Sequence, residues 1–359
     1  MALLQPSDSD LGIGNGSTWG TAPDFTSGSN GEILYADNCN VSHSINLYRV
    51  AQGTSRPTDI KRLAHGVGVT LNGRAHYNDR WMQVLANLMG TSTASAAEQN
   101  VGEGDYLHNI DMNSETYGLF QSLSFTHETD EVTEVPSCKW ASGQIVFTVN
   151  DVVSYSFSGI GDKALYSESD TVVNNASDVT GLTTPTPSPI CFMSDNLYVR
   201  INSQSGSGLS SSNDLEVVSV TLAITREGMT NDFVTRGANT KYVIEPKQGG
   251  LTTVTAAFQF AELSQAKYDV LSQWATGAEL KGELFVDGDA IASGENESIL
   301  VQMPRMIVAS NTGADLTRGR VFAPLMTCEL FKAASAPTGM TGVTDLRVAM
   351  STTRSAALI

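Results

Sequence analysis

The sequence predicts a mainly β protein made of two tandem copies of one unit, each with a single helix beside its sheet. Three observations support this fold class. Alternating apolar and polar residues, as from Gln144 to Phe157, are typical of strands with one buried face. A helix with the same capping pattern occurs twice, about 186 residues apart. The 359 residues are 41% hydrophobic and only 16% charged, which suits packed strands and polar turns.

The chain begins with a segment that is rich in Gly, Ser, Asp and Thr. We expect this segment, residues 1–30, to form an extended N-terminal arm. Strands are predicted next at Glu32 to Asn38, Ser44 to Val50 and Val67 to Tyr77, because β-branched and aromatic residues recur there between turn residues.

A helix is predicted after the third strand. Asn78 is a suitable N-cap, and Gly90 is a suitable residue to end the helix. Between them, apolar side chains recur on one helical face. The residues of this face are Trp81, Val84, Leu85, Leu88 and Met89. We therefore expect an amphipathic helix that packs this face on the sheet.

The region after the helix is acidic. Between Arg80 and Lys139 there is no Lys or Arg. A long polar loop is predicted from Thr91 to Asn113, and long loops are often functional. Its candidate contact residues are Glu98, Glu103, Asp105 and Asp111. A second group is a candidate for a surface or channel lining that repels nucleic acid; it comprises Asp130, Glu131 and Glu134. The simpler alternative is that these acids only solvate loops.

The clearest strands form a hairpin that follows a strand from Leu119 to Thr126. A three-residue loop at Asn150–Val152 would pair Phe147 with Tyr155 and give one fully apolar face. A two-residue turn would instead pair Phe147 with Ser154 and mix the faces. We predict the three-residue loop, with Phe147 and Tyr155 both buried.

The second half of the sequence repeats the order of the first. PICFMSDN, from Pro189, corresponds to EILYADN, from Glu32. Further strands are predicted at Val220 to Gly228, Val254 to Phe260, Ser298 to Val308 and Val321 to Phe331, with a helix from Ser264 to Gly277. The prolines at 304 and 324 imply bulges or edges in the last two strands.

These patterns divide the chain into four segments. They are an N-terminal arm (1–30), copy 1 (31–180), copy 2 (181–333) and a C-terminal arm (334–359). The Ser/Thr/Pro-rich run at 181–189 is the predicted linker between the copies.

The composition argues against several classes of protein. The net charge is −17, and we find no basic stripe of the kind that binds phosphate backbones. The four cysteines are widely separated, which favours free thiols over a disulfide framework. We find no signal peptide pattern and no apolar run near 18 residues, so we expect neither export nor insertion in a membrane.

We find no catalytic motif in the sequence. The five histidines lack a zincin spacing, and Walker and nucleophile-elbow patterns are missing. Fragments such as Ser264 to Lys267 match part of a β-lactamase motif, but in the wrong order. We therefore expect no enzyme activity, no cofactor and no metal site.

Two stretches carry a resemblance to a known family. They are GIGNGSTWGTA, from Gly12, and SLSF…CKWASGQIVFTVNDVVSYSFSGIG, from Ser122 to Gly161. Together they resemble the major tail (tail tube) proteins of long-tailed, siphovirus-like bacteriophages. The resemblance implies that each copy has the tail-tube fold, a β-sandwich or barrel with one flanking α-helix. It also implies a structural virion protein that polymerises into stacked rings and forms the conduit for DNA during ejection.

The same resemblance implies partners and a location. The tape measure protein and DNA would pass through the lumen without specific binding, and tail terminator and distal tail proteins would bind the tube ends. The protein would be assembled in the cytoplasm of the bacterial host and reside in the virion tail. The acidic loop would then contact a neighbouring ring.

The resemblance also implies a ring stoichiometry. Rings of this family contain six copies of the fold, so a chain with two copies predicts trimeric rings with pseudo-six-fold symmetry. The alternative is a hexameric ring with copy 2 decorating its outside. Copy 2 strands carry few charges, with none in Val254 to Phe260, which favours the trimer.

Two other functions remain open at this point. One is a β-rich, tail-associated binding or decoration module that recognises a carbohydrate or cell surface; the other is a sheath-like tail protein. The low aromatic content of 7% and the recurring helix argue against the binding module.

Overall fold

The computed structural model of the chain describes thirteen ranges of residues. These are 10–27, 30–50, 59–91, 97–99, 104–127, 131–193, 197–229, 243–261, 276–292, 295–311, 316–317, 320–321 and 325–358.

In the first half of the chain, strands predominate. The elements are β1 (Leu11–Asn15), β2 (Glu32–Ile33), β3 (Asn38–Val50), β4 (Asp59–Arg74), α1 (Trp81–Met89), β5 (Ala97–Glu98), β6 (Tyr106–Asp111), β7 (Gln121–His127), β8 (Glu131–Thr148), β9 (Asp151–Val152), β10 (Ser154–Gly161), β11 (Leu165–Tyr166) and α2 (Ala176–Thr180).

The described part of the second half contains mainly strands, and Thr276, next to the residues outside the description, is helical. The elements are β12 (Cys191–Phe192), β13 (Leu197–Ser203), β14 (Val217–Arg226), β15 (Thr252–Phe260), β16 (Leu280–Ala292), β17 (Glu295–Asn311), β18 (Leu316–Thr317), β19 (Arg320–Val321), β20 (Leu325–Leu330) and β21 (Arg347–Thr352). The mainly β class predicted from the sequence is confirmed. The second predicted helix, Ser264 to Gly277, falls almost entirely outside the described residues.

Six strands of each half pair in the same order. In the first half the order is β3-β4-β10-β8-β7-β1. In the second it is β14-β15-β20-β17-β16-β13. Every pair is antiparallel. When each half's strands are numbered along the chain, both orders read 2-3-6-5-4-1, so the halves share one topology.

The two halves also share irregularities in their longest strands. In β8 the pairing with β7 shifts register across Pro136, and in β17 the pairing with β16 shifts across Pro304. Proline cannot donate to the ladder, so a bulge at this position is expected. The bulge predicted at Pro304 is confirmed.

Backbone pairing links the halves at β8–β14, at β6–β21 and at the short pair β9–β12. Strand β8 pairs with β14 from Ser142–Thr225 to Thr148–Ser219. A single apolar core continues across this joint, because side chains of both halves, such as Phe147 and Val220, pack in one buried cluster. Burial of this apolar surface is the main stabilising contribution.

Helix α1 differs from its prediction at its start and on its faces. It begins at Trp81, and the Asp79 carboxylate, not Asn78, accepts hydrogen bonds from the Arg80 and Tyr35 amides at 2.7 and 3.2 Å. Gly90 ends the helix in the left-handed conformation, as predicted. All nine helical residues are buried, because α1 packs against β8 and also against β6. The predicted packing of the apolar face on the sheet is confirmed, and the remaining helical positions are buried as well.

The predicted hairpin has the correct buried face but the wrong register. Phe147 and Tyr155 are both buried, yet Tyr155 lies opposite Ile145 and Ser154 opposite Val146. This is a shift of two residues, which keeps every side chain on its face. The loop is wider because its amides pair elsewhere: the Asn150 amide donates to the Phe192 carbonyl at 2.9 Å.

Both predicted arms contribute strands to the main sheet. In the N-terminal arm, β1 pairs with β7 and is almost entirely buried. In the C-terminal arm, β21 pairs with β17 on one side and β6 on the other. The expectation of extended arms is therefore wrong for these residues. The expectation rested on the Gly, Ser, Thr and Pro residues of these segments, and long-range strand pairing supplies the order.

Helices long and apolar enough to cross a membrane do not occur among the described residues.

Candidate assembly surfaces

Eight strands form a continuous sheet whose one face is polar. The order is β3-β4-β10-β8-β14-β15-β20-β17. We call this face the polar face. It includes the apolar Ile160 and Ile307. Its other residues are Asn38, Asn40, Ser42, Ser44, Thr70, Asn72, Arg74, Ser154, Ser156, Ser158, Ser142, Gln144, Val146, Thr148, Ser219, Thr221, Ala223, Thr225, Thr253, Thr255, Ala257, Gln259, Thr327 and Glu329, none of them buried.

The polar face carries two charges, Arg74 and Glu329, among these residues. Arg74 lies 3.5 Å from Asp151 and 3.9 Å from Asp37, and all three side chains are more than half exposed, so these pairs contribute little stability. The face presents mainly hydroxyl and amide groups. Such a surface has neither the cations that hold a phosphate backbone nor a dense row of acids that would repel it strongly.

The opposite face of the same sheet is apolar and buried. Its residues include Leu71, Phe157, Leu222 and Phe258, all at most 1% exposed. Strict alternation between the two faces gives each strand one side for the core and one for solvent.

The sheet ends in two unpaired strand edges within the described residues. At one end, β3 pairs only with β4. At the other, the last part of β17, Met306–Asn311, pairs with β20 on one side, and Ile307–Asn311 is unpaired on the other. We call these the β3 edge (residues 38–44) and the β17 edge (residues 307–311). Unpaired edges are templates for pairing with another chain.

The joint inside the chain uses the counterparts of both edges. Aligned on the register shift that β8–β10 shares with β17–β20, the β3 edge occupies the position of β14. The last two residues of the β17 edge, Ser310 and Asn311, occupy the positions of Ser142 and Gly143, where the pairing of β8 with β14 begins. Matched positions across the sheet are Val41, Val69 and Gly159 in the first half and Leu222, Ala256 and Cys328 in the second. Leu222 is 1% exposed within the joint, whereas Val41 on the open edge is only half-buried.

Arg226, at the end of β14, reinforces the internal joint. Its Nε donates to the Leu88 carbonyl at 2.6 Å and its Nη2 to the Asn113 carbonyl at 2.8 Å. A cation is favourable at this place because Leu88 lies in the last turn of α1, where free carbonyls concentrate. Burial lowers the pKa of Arg226 to about 10, so the side chain stays protonated at neutral pH.

A second contact between the halves is the buried pair of Lys139 and Glu245. The Lys139 ammonium donates to the Glu245 carboxylate at 2.5 Å and to the Thr116 carbonyl at 2.6 Å. Burial lowers the pKa of Lys139, although the carboxylate opposes this effect. The Gly118 amide also donates to Glu245, at 2.7 Å, so this carboxylate holds the loop that precedes β7.

The described residues of the candidate acidic loop, 97–99 and 104–113, make contacts within the chain itself. Asp105 is fully buried. Asp111 ends β6, lies 3.8 Å from Arg347 and accepts a hydrogen bond from Thr344 at 3.3 Å. The backbone of Glu98 pairs with that of Tyr106, and Glu103 lies outside the described residues. The buried Asp105 side chain is not available to a neighbouring molecule, and a long free loop is wrong for residues 106–111.

The second group of candidate acids does not form one surface. Glu131 is exposed, Glu134 is fully buried, and Asp130 lies outside the described residues. A surface or channel role for Glu134 is therefore wrong. Both faces of β8 are covered from Val132 to Trp140, so Glu134 is enclosed, which the count of acids in this region could not indicate.

Glu134 instead fixes the segment before α2. Its carboxylate accepts hydrogen bonds from the Asn174 amide at 3.0 Å, from the Asn174 side chain at 2.9 Å and from the Val173 amide at 3.2 Å. A buried carboxylate is tolerated when amide donors surround it.

We expect Glu134→Ala to lower the free energy of unfolding by about 3 kcal/mol, because it leaves buried amides without acceptors. Chemical denaturation followed by tryptophan fluorescence would measure the change. Glu131→Ala is the matched control in the same strand, with an expected change within about 0.5 kcal/mol. Equal changes in the free energy of unfolding for the two substitutions would show that the buried hydrogen bonds of Glu134 do not stabilise the fold.

An open cleft of about 740 Å³ lies where the halves meet. Thr91 and Asp111 line it from the first half and Gln248 and Lys332 from the second. No cluster of three or more metal-ligating side chains occurs among the described residues. The sequence analysis did not identify this cleft, because its lining comes from segments far apart in the chain.

Comparison with models of known protein families gives no match, and a search of curated proteins also finds none.

Proposed function

We propose that this chain is the major tail protein of a long-tailed bacteriophage, a structural virion protein that polymerises into stacked rings and forms the conduit for DNA during ejection. The observation that carries the proposal is the internal joint between β8 and β14. This joint connects the two halves by antiparallel strand pairing. The two open edges of the chain could pair with the edges of neighbouring chains in the same way.

The duplication supports the proposal. The halves share their strand order and the bulge at a proline in the fifth long strand. Two tandem copies of the tail-tube fold explain this agreement, since a chance match of six strands and an irregularity is improbable. Each copy then supplies four strands of the continuous sheet.

The open edges support closed rings. The β17 edge of one chain would pair with the β3 edge of the next, as β8 pairs with β14 inside the chain. Such a contact is heterologous, because it joins two different surfaces, and repeated contacts of this kind form a ring when the rotation closes. Closure removes both unpaired edges, which otherwise favour uncontrolled aggregation.

The polar face supports a lumenal role. In a closed ring this face would line the channel, and its hydroxyl and amide groups would let DNA and the tape measure protein slide without being held. The net charge of −17 also disfavours tight binding of nucleic acid.

We propose trimeric rings with pseudo-six-fold symmetry. Three chains supply six copies, with three joints inside chains and three between them. In the virion tail the tube would end at tail terminator and distal tail proteins, after assembly in the cytoplasm of the bacterial host. A hexamer of chains is the alternative arrangement.

Negative-stain electron microscopy of the purified full-length protein tests this proposal. We expect tubes or rings whose averaged end-on views show six similar lobes and three-fold symmetry. Six identical chains in a ring would exclude the trimer. Monodisperse particles that never form rings, at any concentration, would contradict the proposal and favour the binding or decoration module.

A further inference from the structure

The C-terminal residues add a further connection between the two halves, away from the β8–β14 joint and from the short β9–β12 pairing. Strand β21 belongs to the second half by its pairing with β17 from Gln302–Arg347 to Ser298–Ser351. Its other side pairs with β6 of the first half over six residues, from Arg347–Asp111 to Thr352–Tyr106. The strand therefore bridges the halves along its whole length.

Beyond β21, the chain continues onto the first half. Both Arg354 Nη atoms donate to the Glu32 carboxylate, at 2.6 and 3.0 Å. Arg80, just before α1, reaches the same carboxylate at 2.6 Å. The Arg354 and Arg80 side chains are 8% and 9% exposed. Two-point pairing of an arginine with a carboxylate in a buried setting is strong and geometrically specific.

Two further contacts hold the same segment. His108 Nε2 lies 2.8 Å from the Arg354 carbonyl, and burial lowers the pKa of His108, which favours the neutral ring that donates to it. The Asn15 side chain donates to the Leu358 carbonyl at 3.1 Å, and the Leu358 side chain is fully buried. We call residues 346–358 the C-terminal clasp.

Two separate lines of pairing restrict motion more than one. A single antiparallel joint, such as β8–β14, lets the halves twist and bend about the line of its hydrogen bonds, since paired strands vary widely in their mutual twist. The β6–β21 line uses different strands and lies apart from the β8–β14 joint and the short β9–β12 pairing, so it restricts this freedom further.

We propose that the C-terminal clasp fixes the angle between the two halves, with Arg354 as the residue that positions the clasp on the first half. This device acts within one chain and goes beyond ring formation. In the proposed trimer, it would set the curvature at each joint inside a chain, where a closed ring allows little variation.

Hydrogen–deuterium exchange of the full-length chain tests the clasp without any assembly. In Arg354→Ala we expect the amides of residues 106–111 to exchange at least tenfold faster, while residues 67–71 in the core of the first half keep their protection. Arg354→Lys retains the charge but loses the two-point pairing, so its exchange should be intermediate. Arg200→Ala, which removes the partly exposed Arg200–Asp214 pair, is the control and should leave both segments unchanged.

Either of two results would overturn the clasp. Unchanged exchange of residues 106–111 in Arg354→Ala would show that Arg354 does not hold them. Faster exchange of residues 67–71 to the same extent would show a general loss of stability in place of a released clasp.

Electron microscopy of Arg354→Ala separates the clasp from the proposed function. If the unmodified protein forms rings, we expect the variant to give rings of mixed size or open curved filaments. Uniform rings of normal size would contradict the role of the clasp in curvature. If the unmodified protein forms no rings but the exchange result holds, the proposed function fails and the clasp stands.

Discussion

Val41→Lys is expected to abolish polymerisation and leave the chain folded. Val41 lies on the β3 edge, where it is half-buried in the isolated chain. A lysine there can extend its ammonium group to water, so its cost to the isolated chain is at most about 1 kcal/mol. In a ring, this position would be as enclosed as Leu222, which is 1% exposed in the internal joint.

The effect on assembly follows from desolvation. An ammonium group buried without an acidic partner costs several kcal/mol, and about 3 kcal/mol per contact already weakens association about a hundredfold. Three such contacts would have to form in each ring. Sedimentation or light scattering would measure the loss of polymer, and circular dichroism would show that the fold is retained.

Asn40→Lys is the matched control. Asn40 is the neighbouring residue of β3 and points to the polar face, where it is exposed. A lysine here remains in solvent both in the isolated chain and in the lumen of a ring, so polymerisation should persist. Equal loss of polymer in both variants, or normal tubes from Val41→Lys, would contradict pairing through the β3 edge.

Phe147→Ala is expected to lower the free energy of unfolding by about 3–5 kcal/mol. Phe147 is fully buried, lies opposite Val220 across the joint and packs edge-on against Phe192 with ring centroids 5.7 Å apart. Its removal leaves a cavity bordered by both halves. The surrounding sheet is held by backbone pairing on both sides of β8, so it can collapse only partly into the space.

Urea denaturation of the full-length chain would measure this cost. Val146→Ala is the matched control, since Val146 is the adjacent residue on the polar face and is only half-buried. Its expected cost is about 1 kcal/mol or less. A Phe147→Ala value no greater than the control would show that the joint is not part of the cooperative core.

Predictions from the sequence were correct where a feature depends only on neighbouring residues of the same strand or helix. Alternation identified the buried faces at Phe147 and Tyr155, and the left-handed stop of α1 at Gly90 was predicted correctly. These features depend on side-chain direction and on local backbone preference, which the sequence states directly.

The predictions were wrong or incomplete where a distant segment supplied the partner. The hairpin register moved by two residues because Asn150 bonds to Phe192. Helix α1 is buried on every side because β6 covers it. Glu134 was taken for a surface acid, but amides of Val173 and Asn174 surround it. These partners are distant in the sequence, so a local residue pattern cannot indicate them.

The sequence by itself determined the mainly β class, the buried face of each clear strand and the presence of a repeated order. Each of these follows from the period of the side chains along the chain. Only the tertiary structure decided the β8–β14 joint, the two open edges and the C-terminal clasp. Backbone amides and carbonyls are the same in every residue, so the choice of partner strand depends on which faces and ends can pack together in space.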